Sequence, residues 1–250
     1  MQSYLDGQVA VVTGGGNGIG RATAQLLARK GAKVAVVDKD QEAGSATAEQ
    51  IAVNEGEALF VQADVSRPQD VKSMAERVLS TFGKVDTLIN NAATFPRSML
   101  VDMSWEEWQH VIDVNLHGPF LCTKALMGQM IERRSGRIAN IASGLGITGG
   151  VKAAHYATSK GGLIAFTKCL ALELAPYGIT ANVLVPGLTD TDMPRRGQSA
   201  EEIAALVEQI PLKRLATPEE VAAFLAFLVS PACAYVTGQT ICINGGWIMP

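Results

Sequence analysis

The sequence predicts an α/β protein with a doubly wound parallel sheet that carries helices on both faces. Seven short segments rich in Val and Ile alternate along the chain with amphipathic segments. Strands that are apolar on both faces and alternate with helices are typical of parallel sheets. A chain of 250 residues with 48% hydrophobic and 18% charged residues is also large and apolar enough to bury a substantial core.

The predicted strands follow the Val- and Ile-rich segments in order. They are residues 8–13, 33–38, 57–64, 85–91, 136–143, 179–186 and 240–245. Capping boxes, in which a Ser or Thr precedes a Glu by three positions, predict helix starts at Ser104 and Thr217. Because no linker or internal repeat interrupts this alternation, we expect a single domain over residues 1–250.

The segment 187–216 departs from the regular alternation. It connects the sixth strand to the last helix and is too long for an ordinary connection. Ser199, followed by Glu202, predicts a short helix inside it. A long connection beside the strand ends is typical of a lid or a substrate-binding loop, although a surface insertion is the alternative.

Composition excludes several classes of function. A net charge of −3 and a pI near 5.7 argue against binding to nucleic acid or to an anionic membrane surface. No apolar run reaches the roughly 18 residues of a membrane span, and the N-terminal segment lacks a signal-peptide pattern, so we expect a cytoplasmic protein. The four cysteines lack CxxC spacing, which predicts free thiols in the core and no metal site.

A glycine-rich turn, TGGGNGIG at residues 13–20, joins the first strand to the first helix. Glycines at such a turn allow backbone N–H groups at the helix N-terminus to approach a phosphate. The turn does not match G-x-G-x-x-G, because Ile19 replaces the third glycine. Asp38, at the end of the second strand, is the residue type that binds the adenosine ribose hydroxyls and repels a 2′-phosphate. The pair predicts a dinucleotide site with NAD as the cofactor.

Tyr156 and Lys160 form a Tyr-x-x-x-Lys pair within a segment that otherwise reads as an apolar helix. Residues at i and i+4 share one helical face, so the lysine ammonium is expected near the tyrosine hydroxyl. A positive charge at about 4 Å, in a medium of effective dielectric about 20, is worth roughly 4 kcal/mol and would lower the tyrosine pKa by up to ~3 units. This spacing therefore predicts a tyrosine that acts as a general acid or base.

Several motifs occur in an order that is specific in combination. They are T-G-x-x-x-G-x-G from Thr13, NNA at 90–92, Asn115 in DVNL, Ser143, Tyr156-x-x-x-Lys160 and Pro186-Gly187. With them the chain resembles the short-chain dehydrogenase/reductases over essentially its full length. The resemblance implies a Rossmann-like sheet of seven parallel strands in the order 3-2-1-4-5-6-7 and assembly as a homotetramer.

The resemblance also implies roles for individual residues. It implies a catalytic set in which Ser143 fixes the substrate oxygen, Lys160 holds the nicotinamide ribose and Asn115 positions a water beside Lys160. The residues that it implies for cofactor binding are Gly14, Asn17, Gly18, Ile19, Gly20, Asp38, Asp64, Val65, Asn91, Ala92, Tyr156, Lys160, Pro186, Gly187, Thr189 and Thr191.

The reading that these residues favour is an oxidoreductase that transfers hydride between NAD and a secondary alcohol or ketone. The expected substrate pocket is apolar and includes Phe95, Leu145, Val151, Leu188 and Met193. Arg97 is expected to be solvated, and His155 is expected to pack. An enoyl reductase is one alternative, and the tight Tyr-x-x-x-Lys spacing argues against it. A non-catalytic nucleotide-sensing protein is the other, and the complete catalytic set argues against that.

Overall fold

The computed structural model describes residues 4–249 and contains one sheet of seven parallel strands in the order β3-β2-β1-β4-β5-β6-β7. The prediction of fold class and strand order is therefore confirmed. The strands are β1 (Val9–Thr13), β2 (Lys33–Asp38), β3 (Ala58–Gln62), β4 (Thr87–Asn90), β5 (Gly136–Ile141), β6 (Ile179–Pro186) and β7 (Thr240–Ile243). Each lies within the range that the sequence predicts for it.

Ten α-helices surround the sheet in the described part of the chain. They are α1 (Gly18–Arg29), α2 (Gln41–Val53), α3 (Pro68–Phe82), α4 (Trp105–Ile112), α5 (Gly118–Arg133), α6 (Leu145–Thr148), α7 (Ala154–Leu174), α8 (Asp192–Arg195), α9 (Ala200–Gln209) and α10 (Pro218–Leu228). A π-helical turn, Asp113–His117, joins α4 to α5. No helix among residues 4–249 is long and apolar enough to cross a membrane.

The core lies on both faces of the sheet because alternate residues of each strand point to opposite sides. Val9 and Val11 of β1 belong to one buried cluster, with side chains of α3 and α5. Ala10 and Val12 belong to a second cluster, with side chains of α1 and α10. Burial of the central strands on both faces explains why they read as continuous apolar runs.

The helix starts predicted at Ser104, Ser199 and Thr217 are all confirmed. Thr217 and Ser199 each form a complete capping box, so the predicted short helix inside 187–216 exists as α9. At Ser104 only half of the box forms. The Ser104 hydroxyl accepts a hydrogen bond from the Glu107 N–H, but the Glu107 carboxylate contacts His155 instead.

The four cysteines are free thiols in the structure. The prediction that all of them lie in the core is wrong for Cys169, which is exposed. Its position on the outer side of α7 explains this, because a helix covering a sheet turns only one face toward the core.

Candidate active site

The strand order reverses between β1 and β4, which are neighbours in the sheet although β2 and β3 lie between them in sequence. Ligands of doubly wound sheets bind at such a switch point, beyond the carboxyl ends of the strands. The glycine turn follows β1 at this edge. Gly14 has a positive φ of 63°, and a Cβ added to Gly20 would lie 2.0 Å from the Gly14 carbonyl oxygen, so a side chain is excluded at Gly20.

Hydrogen bonds from Thr13 and Asn91 hold the two strands together at the switch point. The Thr13 hydroxyl accepts from the N–H groups of Asn91 at 3.0 Å and Ala92 at 3.1 Å. The Asn91 amide donates in return to the carbonyls of Thr13 and Gly14, both at 3.0 Å. These bonds fix the glycine turn against the end of β4. The sequence prediction includes Asn91 and Ala92 among the site residues but misses Thr13.

The N-terminus of α1 presents backbone donors without a side-chain cap. Asn17 is the N-cap residue, and its side chain makes no capping hydrogen bond. The first N–H groups of the helix, including those of Gly18 and Ile19, have no helical acceptor, since the chain before them is not helical. Uncapped N–H groups at a helix N-terminus form an anion site for which a diphosphate is suited.

Asp38 ends β2 beside the glycine turn, as predicted. Its two carboxylate oxygens accept from the Gly16 N–H at 2.9 Å and the Asp40 N–H at 3.0 Å. A carboxylate has about four lone-pair positions, so these bonds leave acceptor capacity for two ribose hydroxyls. Lys39 is exposed next to it.

Asp64 and Val65 follow β3 at the same edge of the sheet. Burial opposes ionisation of Asp64, but hydrogen bonds from the Ser66 hydroxyl and N–H outweigh burial and lower its pKa. Val65 is buried against the first residue of α5, where a Cβ added to Gly118 would lie 2.8 Å from it. The two residues therefore border the site.

The segment after β6 reaches across to the glycine turn. Gly187 donates its N–H to the Ile243 carbonyl at 2.7 Å, and a Cβ there would meet the Asn244 backbone at 2.6 Å. Thr189 is buried and pairs with Ala216, which closes the base of the loop. Thr191 lies 3.0 Å from the position that a Gly18 Cβ would occupy. Pro186, the last residue of β6, begins this crossing.

Tyr156 and Lys160 lie on α7. Ser143 follows β5 and lies close to Tyr156. The Ser143 hydroxyl hydrogen-bonds to the Tyr156 phenol. Lys160 Nζ lies 5.7 Å from the centroid of the Tyr156 ring and donates to the Ile141 carbonyl at 2.7 Å. Tyr156 is 6% exposed and Lys160 is 2% exposed, so both groups lie in a largely dry environment. The structure thus brings together three of the four predicted catalytic residues.

Burial is the main influence on the pKa values of Tyr156 and Lys160 in the protein without a bound ligand. It raises the pKa of Tyr156 to about 12, against the opposing effects of Ser143 and Arg97. It lowers the pKa of Lys160 to about 7. The prediction that Lys160 lowers the Tyr156 pKa is therefore wrong for this arrangement. The physical reason is that desolvation disfavours the charged form of both groups.

Asn115 is 0% exposed and lies in the π-helical turn. Its side-chain amide pairs with the Thr94 backbone in both directions, at 2.8 and 2.9 Å, and donates to the Ser159 hydroxyl at 3.2 Å. The amide therefore holds the segment after β4 against α7. The predicted role of Asn115 in positioning a water beside Lys160 stays a prediction.

Phe95 is the predicted pocket residue that the structure brings against the catalytic cluster. Its ring stacks on Tyr156 with centroids 4.0 Å apart and planes inclined by 18°. Leu145 and Leu188 are half-buried, Met193 is exposed, and Val151 is 77% exposed. Arg97 is not solvated as predicted, because it is half-buried and its guanidinium lies 4.7 Å from the Phe95 centroid.

His155 is completely buried and links two helices that carry site residues. Its Nδ1 accepts from the Tyr156 N–H at 2.7 Å, which leaves Nε2 as the donor to the Glu107 carboxylate at 3.1 Å. The sequence prediction of a packing role omitted this ion-dipole contact. Glu107 can accept this hydrogen bond because its carboxylate does not complete the capping box at Ser104.

A separate groove of about 560 Å³ lies between α10 and the end of β7, with Phe224 and Phe227 in its wall. None of Asn115, Ser143 and Tyr156 lines it. The cluster of Ser143, Tyr156 and Lys160 therefore lies apart from this groove.

Comparison with known proteins agrees with this geometry. The family described as enoyl-(acyl carrier protein) reductase matches residues 13–248. The chain is 44% identical over 247 residues to the 3-oxoacyl-[acyl-carrier-protein] reductase of Synechocystis, covering 98% of each protein. It is 41% identical over 245 residues to the 3-oxoacyl-[acyl-carrier-protein] reductase FabG of Escherichia coli, covering 98% of this chain and 99% of that one.

The fold and these relatives define a class of protein, an α/β oxidoreductase that uses a nicotinamide cofactor. The chain belongs to the short-chain dehydrogenase/reductase family.

Proposed function

We propose that this protein catalyses reversible hydride transfer between NAD(H) and a ketone or secondary alcohol, with Tyr156 as the general acid/base. The observation that carries the proposal is the buried cluster of Ser143, Tyr156 and Lys160 at the edge of the sheet that also holds the glycine turn. The uncapped N-terminus of α1 and the carboxylate of Asp38 suit the diphosphate and the ribose of a dinucleotide.

The mechanism assigns one task to each group. The nicotinamide, when bound, supplies the hydride for reduction or accepts it for oxidation. In reduction, the Tyr156 hydroxyl donates its proton to the carbonyl oxygen, and the ketone becomes an alcohol. Ser143 orients that oxygen by a hydrogen bond, and Lys160 holds the nicotinamide ribose. A pKa of about 12 keeps Tyr156 protonated at neutral pH, so the hydroxyl carries the proton that reduction requires.

NAD rather than NADP is the proposed cofactor because of Asp38. A 2′-phosphate beside this carboxylate would cost several kcal/mol at an effective dielectric of about 20, a preference of roughly 100-fold or more. Asn17 offers no compensating cation in the glycine turn. Lys39 is the one basic neighbour that opposes this preference.

The substrate that we propose is a hydrophobic ketone, of which a 3-oxoacyl thioester is one form. The 41% and 44% identical relatives are named as 3-oxoacyl reductases, which supports carbonyl reduction. The description of the matching family favours a second candidate, reduction of an enoyl double bond.

One assay separates these functions. The protein is incubated with NADH or NADPH and with 3-oxobutanoyl thioester, 2-butenoyl thioester or a panel of cyclic and aryl ketones, and nicotinamide absorbance is followed. Oxidation of NADH by the 3-oxobutanoyl thioester or by the ketones, without turnover of the enoyl substrate, supports the proposal. Turnover of the enoyl substrate alone supports the second candidate, and no turnover with any substrate supports a nucleotide-sensing protein.

We further propose that residues 1–250 form one catalytic unit, with 187–216 as its substrate loop, and that the unit assembles as a homotetramer. The pairing of Thr189 with Ala216 at the base of the loop supports the first part, because it leaves the residues between them free to move as a unit. The family resemblance supports the second part. Light scattering after gel filtration gives the molar mass that tests it.

A further inference from the structure

Arg97 places a guanidinium beside the catalytic tyrosine. The guanidinium carbon lies 4.7 Å from the centroid of Phe95, and Phe95 in turn stacks on Tyr156 at 4.0 Å. The two distances together are the upper limit for the separation between the guanidinium and the Tyr156 ring. Burial is the largest influence on the pKa of Tyr156 and raises it, and the positive charge of Arg97 acts in the opposite direction. Phe95 is therefore a platform that holds a positive charge over the pocket.

This guanidinium has no hydrogen-bonded or ion-paired partner among residues 4–249. The acid that attracts it is Glu202 of α9. The Glu202 carboxylate is already committed, because it accepts the Ser199 N–H at 2.8 Å in the capping box. Arg97 is also half-buried, so it has lost part of its hydration without a compensating bond. A half-buried arginine without a partner is unusual, since five N–H donors remain available.

The loop confines the space in front of Arg97. A Cβ added to Gly197 would lie 3.6 Å from Arg97 Cδ, so the stem of the arginine lies under the loop. A ligand that binds Arg97 would therefore lie near both Gly197 of the loop and Phe95.

We propose that Arg97 binds a carboxylate on the substrate, so that the preferred substrate is a short oxo acid rather than a neutral ketone. The proposal rests on the function proposed above. The guanidinium fork matches a carboxylate in geometry and charge, and it is weakly hydrated enough to work in a half-buried site. The distances of 4.7 and 4.0 Å limit the separation between the guanidinium and the Tyr156 ring, so the carboxylate and the ketone carbon can belong to one short molecule. The apolar wall predicted from the sequence is thus interrupted by one cation.

The test compares ketones that differ only in charge. The probes are 3-oxobutanoate and 4-oxopentanoate, each paired with its methyl ester, and kcat/KM is measured for reduction with NADH. In the wild type at least one acid should exceed its ester by about 10- to 100-fold, the range that a hydrogen bond to a charged group gives. Arg97→Met, which keeps the apolar stem on Phe95, should abolish that preference. Arg97→Lys should restore part of it, which a merely structural role would not produce.

Arg77→Met is the matched control, because it removes an exposed guanidinium from α3, a helix that carries no site residue. It should leave the acid-to-ester ratio of the wild type unchanged. If the esters and acids are reduced equally well by the wild type, the proposal is overturned while the proposed function stands. If Arg97→Met lowers kcat/KM equally for acid and ester, the proposal is also overturned. Equal losses would indicate that Arg97 only holds the loop in place. If neither member of either pair is reduced, the carboxylate proposal is overturned, whereas the proposed function is decided by the thioester and ketone panel.

Discussion

Lys160 should make the stability of this protein depend on pH in a way that a neutral side chain abolishes. Lys160 is 2% exposed, and its amine donates a hydrogen bond to the Ile141 carbonyl at 2.7 Å. Burial lowers its pKa from 10.5 to about 7. Between about pH 7 and pH 10.5 this lysine is protonated in the unfolded chain and neutral in the folded chain. Stability therefore rises with pH across the interval, by up to about 1.4 kcal/mol per pH unit.

The perturbation is Lys160→Met, which keeps the length of the side chain and removes the amine. Integrating the linkage from pH 7.5 to 9.5 gives the wild type about 2 kcal/mol of stability relative to the variant. For a protein of this size that corresponds to roughly 4–8 °C in Tm. The variant should therefore be more stable than the wild type at pH 7.5. Its advantage in unfolding free energy should be smaller by about 2 kcal/mol at pH 9.5.

The assay is unfolding in urea or by heat, followed by circular dichroism, for both proteins at both pH values. The other titratable groups are present in both proteins, so their effects cancel in the double difference. Lys168→Met is the matched control, because Lys168 is exposed on the same helix. It should show no pH-dependent difference from the wild type. If Lys160→Met also shows none, the pKa of Lys160 is not lowered by burial, and the account of this buried lysine is wrong.

Three further predictions concern the cofactor, the loop and the buried histidine. Asp38→Ser should reduce the ratio of kcat/KM for NADH over NADPH by at least about 10-fold from a wild-type value of roughly 100, and an unchanged ratio would contradict the role of its charge. Limited proteolysis within 187–216 should slow when NAD and a ketone are added together; equal cleavage rates would argue against a closing loop. Glu107→Ala leaves the His155 N–H without an acceptor and should cost about 1–3 kcal/mol in unfolding free energy, whereas the exposed neighbour, changed as Glu106→Ala, should cost less than about 0.5. Equal losses in these two variants would show that the Glu107 contact is not specific.

Much of the fold was predictable because it depends on local patterns. Val- and Ile-rich segments predicted all seven strands, since strands buried on both faces must be apolar throughout. The glycine turn and Asp38 were predictable because each follows a strand directly. Tyr156 and Lys160 were brought to one face of α7 by their spacing alone.

The rest depends on contacts between segments that are distant in sequence. Arg97 looks like a surface residue in the sequence, and only the stacking of Phe95 on Tyr156 brings it to the site. The helical spacing of Lys160 gave its neighbour correctly but not the degree of burial, and burial reverses the expected direction of the tyrosine pKa. The contacts of the Asn115 amide were not predictable from the sequence, because they join the π-helical turn to the backbone of Thr94.

Tyr156→Phe tests the central claim most directly. The substitution removes the hydroxyl that hydrogen-bonds to Ser143 and keeps the ring that stacks on Phe95. The measurement is the single-turnover rate of hydride transfer from saturating NADH to the best ketone of the panel. We predict a fall of about 10²- to 10⁴-fold, the usual contribution of a general acid, with NADH affinity nearly unchanged. A variant that transferred hydride at close to the wild-type rate would contradict the assignment of Tyr156 as the proton donor.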